Sequence, residues 1–249
     1  MQQSWQKQND IHLTNVFEFF NCQHFYIDSG DYIHYVKSTK INFDKIIVLS
    51  ATPNEFYYSR IFKNKLTFYN IGAIEPKGIV KQDIHISFSR SKFKKEPSYI
   101  KLIQKLFNKT NLITFKSFKS DFPNCVGHFG GISGMDQLKG KDLIICGTPH
   151  FNENMYYLDA AILGVKCSPN EELMSYHPVE YQGRRFYFNS YTHNDDLQYI
   201  QISSIEAELL QALGRARHLR ENCEVIVLSN LPIIGAQYID LELYHPTNK

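Results

Sequence analysis

Five short apolar runs, each bounded by polar or turn residues, restrict the fold of this chain more than any other feature. They are Lys45–Ser50 (KIIVLS), Asp83–Ser89 (DIHISFS), Asn111–Lys116 (NLITFK), Asp142–Cys146 (DLIIC) and Glu224–Ser229 (EVIVLS). Several lack the alternation of a half-exposed strand, which is the pattern of strands covered on both faces. Helical stretches separate some of them. Ser98–Lys109 gathers Ile100, Ile103, Leu106 and Phe107 on one face, and Asn152–Gly164 ends at a glycine able to stop a helix. Strand and helix in alternation predict an α/β chain with a parallel sheet covered by helices.

At 249 residues, 43% of them hydrophobic and 14% aromatic, the chain can bury one large α/β core or two smaller ones. Gly and Pro interrupt the pattern over Ile71–Asp83, so the expected division is residues 1–78 and residues 79–249. The Tyr-rich stretch between Val165 and Tyr199 reads as an inserted hairpin or a long loop. Net charge is +2, from 27 Lys and Arg against 25 Asp and Glu. That argues against a highly basic chromatin-like protein and leaves room for a local groove that binds nucleic acid. The five cysteines (Cys22, Cys125, Cys146, Cys167 and Cys223) form no C-x-x-C pair, which argues against a zinc site. Their odd count, the polar start MQQSWQKQND and the lack of a membrane-length apolar run predict a cytoplasmic, soluble protein.

One stretch carries chemistry. Leu209–Asn230, LLQALGRARHLRENCEVIVLSN, packs Arg215, Arg217 and Arg220 into the end of an apolar helix that leads into a strand. Ser203 and Glu206 have capping-box spacing, which predicts a helix start, with Ile205, Leu209 and Leu213 on the buried face. Gln211 and Arg215 are spaced i, i+4 and share another face, beside Gly214, where a ligand or backbone could approach closely. Arginines that answer a helix macrodipole would explain the charge alone. They would not explain a glutamine and an arginine displayed together beside a glycine.

QALGRARHLR resembles motif VI of superfamily 2 helicases, Q-x-x-G-R-x-x-R, and three further stretches resemble other motifs of that superfamily, in its order. IIVLSATPNE (Ile46–Glu55) is similar to motif III, NLITFKS (Asn111–Ser117) to motif IV, and GGISGMDQLKGKDLIICGTPH (Gly130–His150) to motif V. The resemblance spans Ile46 to Asn230 and implies a second, C-terminal RecA-like domain with a remnant of the first RecA-like domain before it. It implies Gln211, Arg215 and Arg217 as catalytic residues facing the ATP γ-phosphate, with Gly134, Asp136, Gly214 and Arg220 as nucleotide-binding ones. An arginine offered by a neighbouring domain clamps the charge of phosphoryl transfer only when the domains close. Where the family often has its second arginine this chain has His218, shorter and neutral near pH 7, so either Arg217 or Arg220 is left to complete the finger pair.

Ser50, Thr52, Lys116, His128 and Thr148 are the candidate nucleic-acid contacts, with DNA ahead of RNA as the polymer. Asp136 also reads as a plain turn aspartate, and Ser50–Thr52 as small residues before a sharp turn at Pro53. Arg184 and Arg185 with the neighbouring tyrosines combine charge and stacking surface, as single-strand channels do and as a solvated hairpin also would. His177, His193, Asp195 and Asp196 lack metal-ligand spacing. A phosphate-cradling loop is missing: Gly134–Asp142 (GMDQLKGKD) has its glycines one residue too far apart and Asp142 where Ser or Thr is needed. No D-E-x-H or D-E-x-D quartet is present either. The expectation is the C-terminal half of an ATP-dependent helicase or translocase. ATP and Mg2+ would be shared with a Walker-bearing domain in cis or trans, and this chain alone would bind neither. Two alternatives stand beside it. One is a non-catalytic module on the same fold that binds nucleic acid or protein, and the other is a metal-dependent nuclease using the His/Asp segment.

Overall fold

The computed structural model describes residues 19–28, 30–37, 44–70, 72, 74–168 and 171–243. A hairpin of β1 (His24–Ile27) and β2 (Ile33–Val36) is followed by helix α1 (Glu55–Phe62). Then come β3 (Ile79–Asp83), α2 (Arg90–Lys95), α3 (Ser98–Leu106), β4 (Asn111–Thr114), β5 (Cys125–His128) and β6 (Leu143–Cys146). After α4 (Glu153–Ile162) a second hairpin, β7 (Met174–Tyr181) and β8 (Arg184–Tyr191), precedes the long helix α5 (Asp195–Leu213), β9 (Glu224–Leu228) and β10 (Gln237–Tyr238). No described helix is long and apolar enough to cross a membrane.

Six strands form one sheet in the order β10-β3-β9-β6-β4-β5, parallel at every pairing. All four residues of β6 are buried, as are the last three of β4, which is why those runs show no alternation. Ile205 and Leu209 of α5, with Leu213, cover the sheet and are buried as their spacing predicts. The architecture is a mixed α/β one, a parallel sheet flanked by helices.

Three local expectations are corrected. Lys45–Ser50 is not a strand: Ile47 is 75% and Leu49 90% exposed, and no described strand offers the run a ladder partner. The strand expected at Asp83–Ser89 ends at Asp83, whose carboxylate accepts from the backbone N–H groups of His85 and Leu241 and turns the chain. Ile86 and Phe88 are buried beyond that end, so their apolar pattern reports the core rather than a ladder. α5 begins eight residues before the expected cap. Asn194 caps it by accepting from Leu197 N–H at 3.0 Å, with Asp195 and Asp196 in the first turn. Ser203 lies inside the helix and donates to Ile200 C=O. Four strands, β1, β2, β5 and β10, escaped the sequence reading altogether, and β3 lies ahead of the run expected there.

The Tyr-rich insert is a hairpin. Tyr181 pairs with Arg184 across a Gln182–Gly183 turn in which both residues have positive φ, 50° and 72°, a conformation that matches strand twist. Ahead of the sheet, α1 is held on α4 and α5. Arg60 pairs with Asp196 at 2.7 Å, Phe56 packs on Tyr199 with ring centroids 4.6 Å apart, and the Tyr57 hydroxyl donates to Asp159.

Candidate functional site

α5 stops at Leu213 because its last turn tightens into a 3-10 turn, Gly214–Ala216, which ends at Arg217 in the left-handed conformation (φ 58°, ψ 31°). That conformation costs an L-residue roughly 1–2 kcal/mol. It is held by three backbone bonds: Arg217 N–H donates to Gly214 C=O, and the N–H groups of Arg220 and Glu221 donate to Arg217 C=O. Ala216 is fully buried, and its carbonyl accepts from Gly140 N–H at 3.0 Å, fixing the loop before β6 on this turn.

The fixed loop brings Asp136 to Arg217, Oδ1 to Nη2 at 2.6 Å. The Arg217 hydrogen bond first, then the charges of Arg217, Arg215 and Lys139, hold the Asp136 carboxyl below the usual carboxylate range. Both side chains face water, beside an open concavity of about 270 Å³ lined by Asp136, Lys139, Arg217, Arg220 and Glu221. Arg215 is half-buried and its Nε is enclosed without a hydrogen-bond partner. Gln211 is exposed on the last turn of α5, and a Cβ added at Gly214 would meet nothing within 4 Å, so the surface here is open. Gly134 has φ 75°, a turn that favours glycine in the Asp136 loop. His218 is pushed below the ordinary imidazole range by burial, so it is neutral at pH 7 and no substitute for an arginine.

Gly78, Lys139 and Glu221 were missed by the sequence reading. Gly78 N–H donates to His218 C=O at 2.8 Å, and a Cβ there would lie 2.6 Å from Cys223 O and 3.0 Å from Glu221 O. Gly78→Ala is therefore expected to cost about 1–3 kcal/mol, read as a lower urea midpoint. Gly214→Ala, with open space at its Cβ, should leave the midpoint nearly unchanged.

Because all pairings are parallel, residues that precede strands share one edge of the sheet and residues that follow strands share the other. The Arg215, Arg217 and Arg220 turn lies before β9, and its Asp136 partner belongs to the loop leading into β6. Lys116, His128 and Thr148 follow or end β4, β5 and β6, on the opposite edge. Lys116 is exposed there. His128 is half-buried, its Nδ1 2.8 Å from Phe129 O, and its ring lies so close to Gly131 that a Cβ would be 2.1 Å from Cε1. Thr148 is fully buried, with its hydroxyl shared between Ser229 and Asn230, and so ties strand ends together rather than standing on the surface. Ser50 accepts from Thr52 N–H in an exposed turn, apart from the sheet. Of the His/Asp segment, Asp196 is engaged by Arg60 and His177 lies 3.1 Å from Gln198.

His150, stacked on Phe188 at the carboxyl edge, has its pKa pushed down from 6.5 to about 4, by burial first and by Arg90 second. The unfolded chain thus takes up this proton before the folded one does. The stability that a neutral His150 supports is complete above pH 6.5 and is lost as the pH falls toward 4. Urea midpoints should decline over that window, and His150→Leu should flatten the decline.

No protein-family model matches the chain. No curated protein matches it. A solved structure of apo XPD is similar in shape, with a TM-score of 0.48 and 11% identity, over 76% of this chain and 47% of that one. The chain therefore spans less than half of that structure's length.

Proposed function

We propose that this chain is the arginine-bearing half of a helicase-derived, ATP-driven nucleic-acid motor. Its amino sheet edge serves the nucleotide and its carboxyl edge serves the nucleic acid. The observation that carries the reading is the Asp136–Arg217 contact, between residues 81 positions apart that the motif resemblance had assigned to one nucleotide site. The local chemistry fits a phosphate: Arg217 and Arg220 line an open concavity, and Arg215, on the same turn as Arg217, has an enclosed, unpartnered Nε. ATP with magnesium, held by a Walker-bearing domain, would supply the transferable phosphoryl group. Arg215 and Arg217 would bind its outer oxygens, Gln211 and Arg220 would flank them, and Gly134 would shape the loop that presents Asp136. Asp136 keeps the Arg217 fork oriented until an anion competes for it. On the other edge Lys116 and His128 would meet the nucleic-acid backbone, and the exposed Ser50–Thr52 turn would contribute from outside the sheet.

The test is ATP turnover by the full chain, alone and fused behind a phosphate-loop domain of a superfamily 2 helicase, with and without single-stranded DNA. The chain alone should show no turnover, and the fusion should turn over ATP. Turnover by the chain alone, or fusion turnover indifferent to Arg215→Ala and Arg217→Ala, would overturn the reading. A protein whose oligonucleotide binding ATP never alters would be the binding module instead.

A further inference from the structure

The β7–β8 hairpin turns one face inward and leaves the other bare. Val179, Tyr181 and Phe188 are buried, while the outer face carries Tyr176, Pro178 and Glu180 opposite Asn189, Tyr187 and Arg185. Tyr176 and Tyr187 stack on each other diagonally, centroids 5.8 Å apart and planes 29° apart, yet remain 62% and 59% exposed. A cross-strand ring pair stabilises a hairpin by roughly 0.2–1 kcal/mol, and an inward pair would do the same without exposing two large rings.

Their mounting is stiff. Arg184 at the turn donates to Pro232 C=O and pairs with Glu206 at 3.1 Å, and Glu206 also accepts from the Tyr181 hydroxyl. Asn230 donates to the backbone carbonyl of Tyr187 at 3.3 Å, and His150 stacks on Phe188, the next residue. Asn230 follows β9 and His150 follows β6, so the rings stand at the carboxyl edge of the sheet. The same edge carries exposed Lys116 and exposed Arg90, which lies over the Phe115 ring and donates to His150 C=O. Arg185 lies opposite Glu180 in register on the outer face, and Arg90 and Lys116 are exposed cations at this end.

We propose that Tyr176 and Tyr187 form a base-stacking platform for single-stranded nucleic acid, whose phosphates run past Arg90 and Lys116. The proposal deepens the reading of the carboxyl edge and rests on it. Rings that are planar, exposed and rigidly held accept any base by its π-face, and neighbouring cations accept the backbone; together they bind single strands with little sequence preference. A duplex keeps its bases stacked on one another and offers these rings nothing.

The experiment is fluorescence anisotropy of labelled oligothymidylate with the full chain across a salt series. Tyr187→Ala and Tyr176→Ala should each weaken binding roughly five- to hundredfold, with the salt slope unchanged, because no phosphate contact is lost. Tyr187→Phe should keep wild-type affinity, which separates stacking from the hydroxyl and from any folding defect. Lys116→Ala should lower the salt slope instead. Wild-type binding with indifferent tyrosine variants would overturn the platform and leave the underlying reading standing. No binding by the wild-type chain even at low salt would overturn both this proposal and the carboxyl-edge assignment, while fusion turnover would still report on the arginine site.

Discussion

Arg217→Ala in the phosphate-loop fusion is expected to lower kcat about a thousandfold while KM for ATP changes little. An arginine that meets the transferred phosphoryl group acts on charge developing in the transition state, so its loss appears in turnover rather than in ground-state binding. The geometry explains why Arg217 is the more exposed of the two candidates. α5 ends early, the 3-10 turn redirects the chain, and the left-handed backbone at Arg217 sends its side chain to Asp136. Arg217→Lys should not restore the rate, because a point charge cannot make the two parallel bonds of a guanidinium fork. Arg215→Ala should also be slow, since its half-buried guanidinium lies next to the same turn. Stopped-flow turnover at saturating ATP checks both variants, and a loss of less than tenfold in both would remove the arginines from the chemistry.

Phe93→Ala is expected to cost about 3–5 kcal/mol of stability, read from urea denaturation. Phe93 is fully buried, the one buried residue of the six-residue helix α2, and its ring meets those of Phe88, Phe115, Phe118 and Phe122 at centroid distances of 5.3–6.4 Å. A helix this short has no stability of its own, so the anchor also holds α2 in place. Its removal should loosen the segment that carries Arg90 and the Lys116 turn packed through Phe118. Oligothymidylate affinity should then fall along with the urea midpoint. A cost below about 1 kcal/mol would mean that the aromatic cluster repacks and that α2 is held by other contacts.

The centre of the sheet was legible because β4, β6 and β9 are covered on both faces, and their apolar runs are long enough to state it. The run at Ile46–Leu49 looks the same in sequence and is exposed, because a strand needs a neighbouring ladder as well as apolar residues. β5 and β10 failed the opposite way. Cys125–His128 contains a glycine and Gln237–Tyr238 is two residues long, so both are strands by virtue of their neighbours' hydrogen bonds. The start of α5 was misplaced because S-x-x-E spacing also occurs inside a helix, where Ser203 and Glu206 are buried and Glu206 instead meets Tyr181 and Arg184. At the candidate site, motif order put Asp136 and the arginines in one group, but nothing in it pointed to Lys139, Glu221 or the close approach of Gly78. Those depend on how three loops meet at one sheet edge, a long-range arrangement that local spacing does not encode.

The central claim is that Arg215 and Arg217 complete a phosphate site supplied by another domain. The most direct measurement is the affinity of this chain for the separate phosphate-loop domain, loaded either with ADP or with ADP, magnesium and aluminium fluoride. If the arginines clamp the transferred phosphoryl group, the transition-state mimic will tighten association and Arg217→Ala will abolish the gain. Equal affinity in the two nucleotide states, or a gain that survives loss of both arginines, would contradict the account.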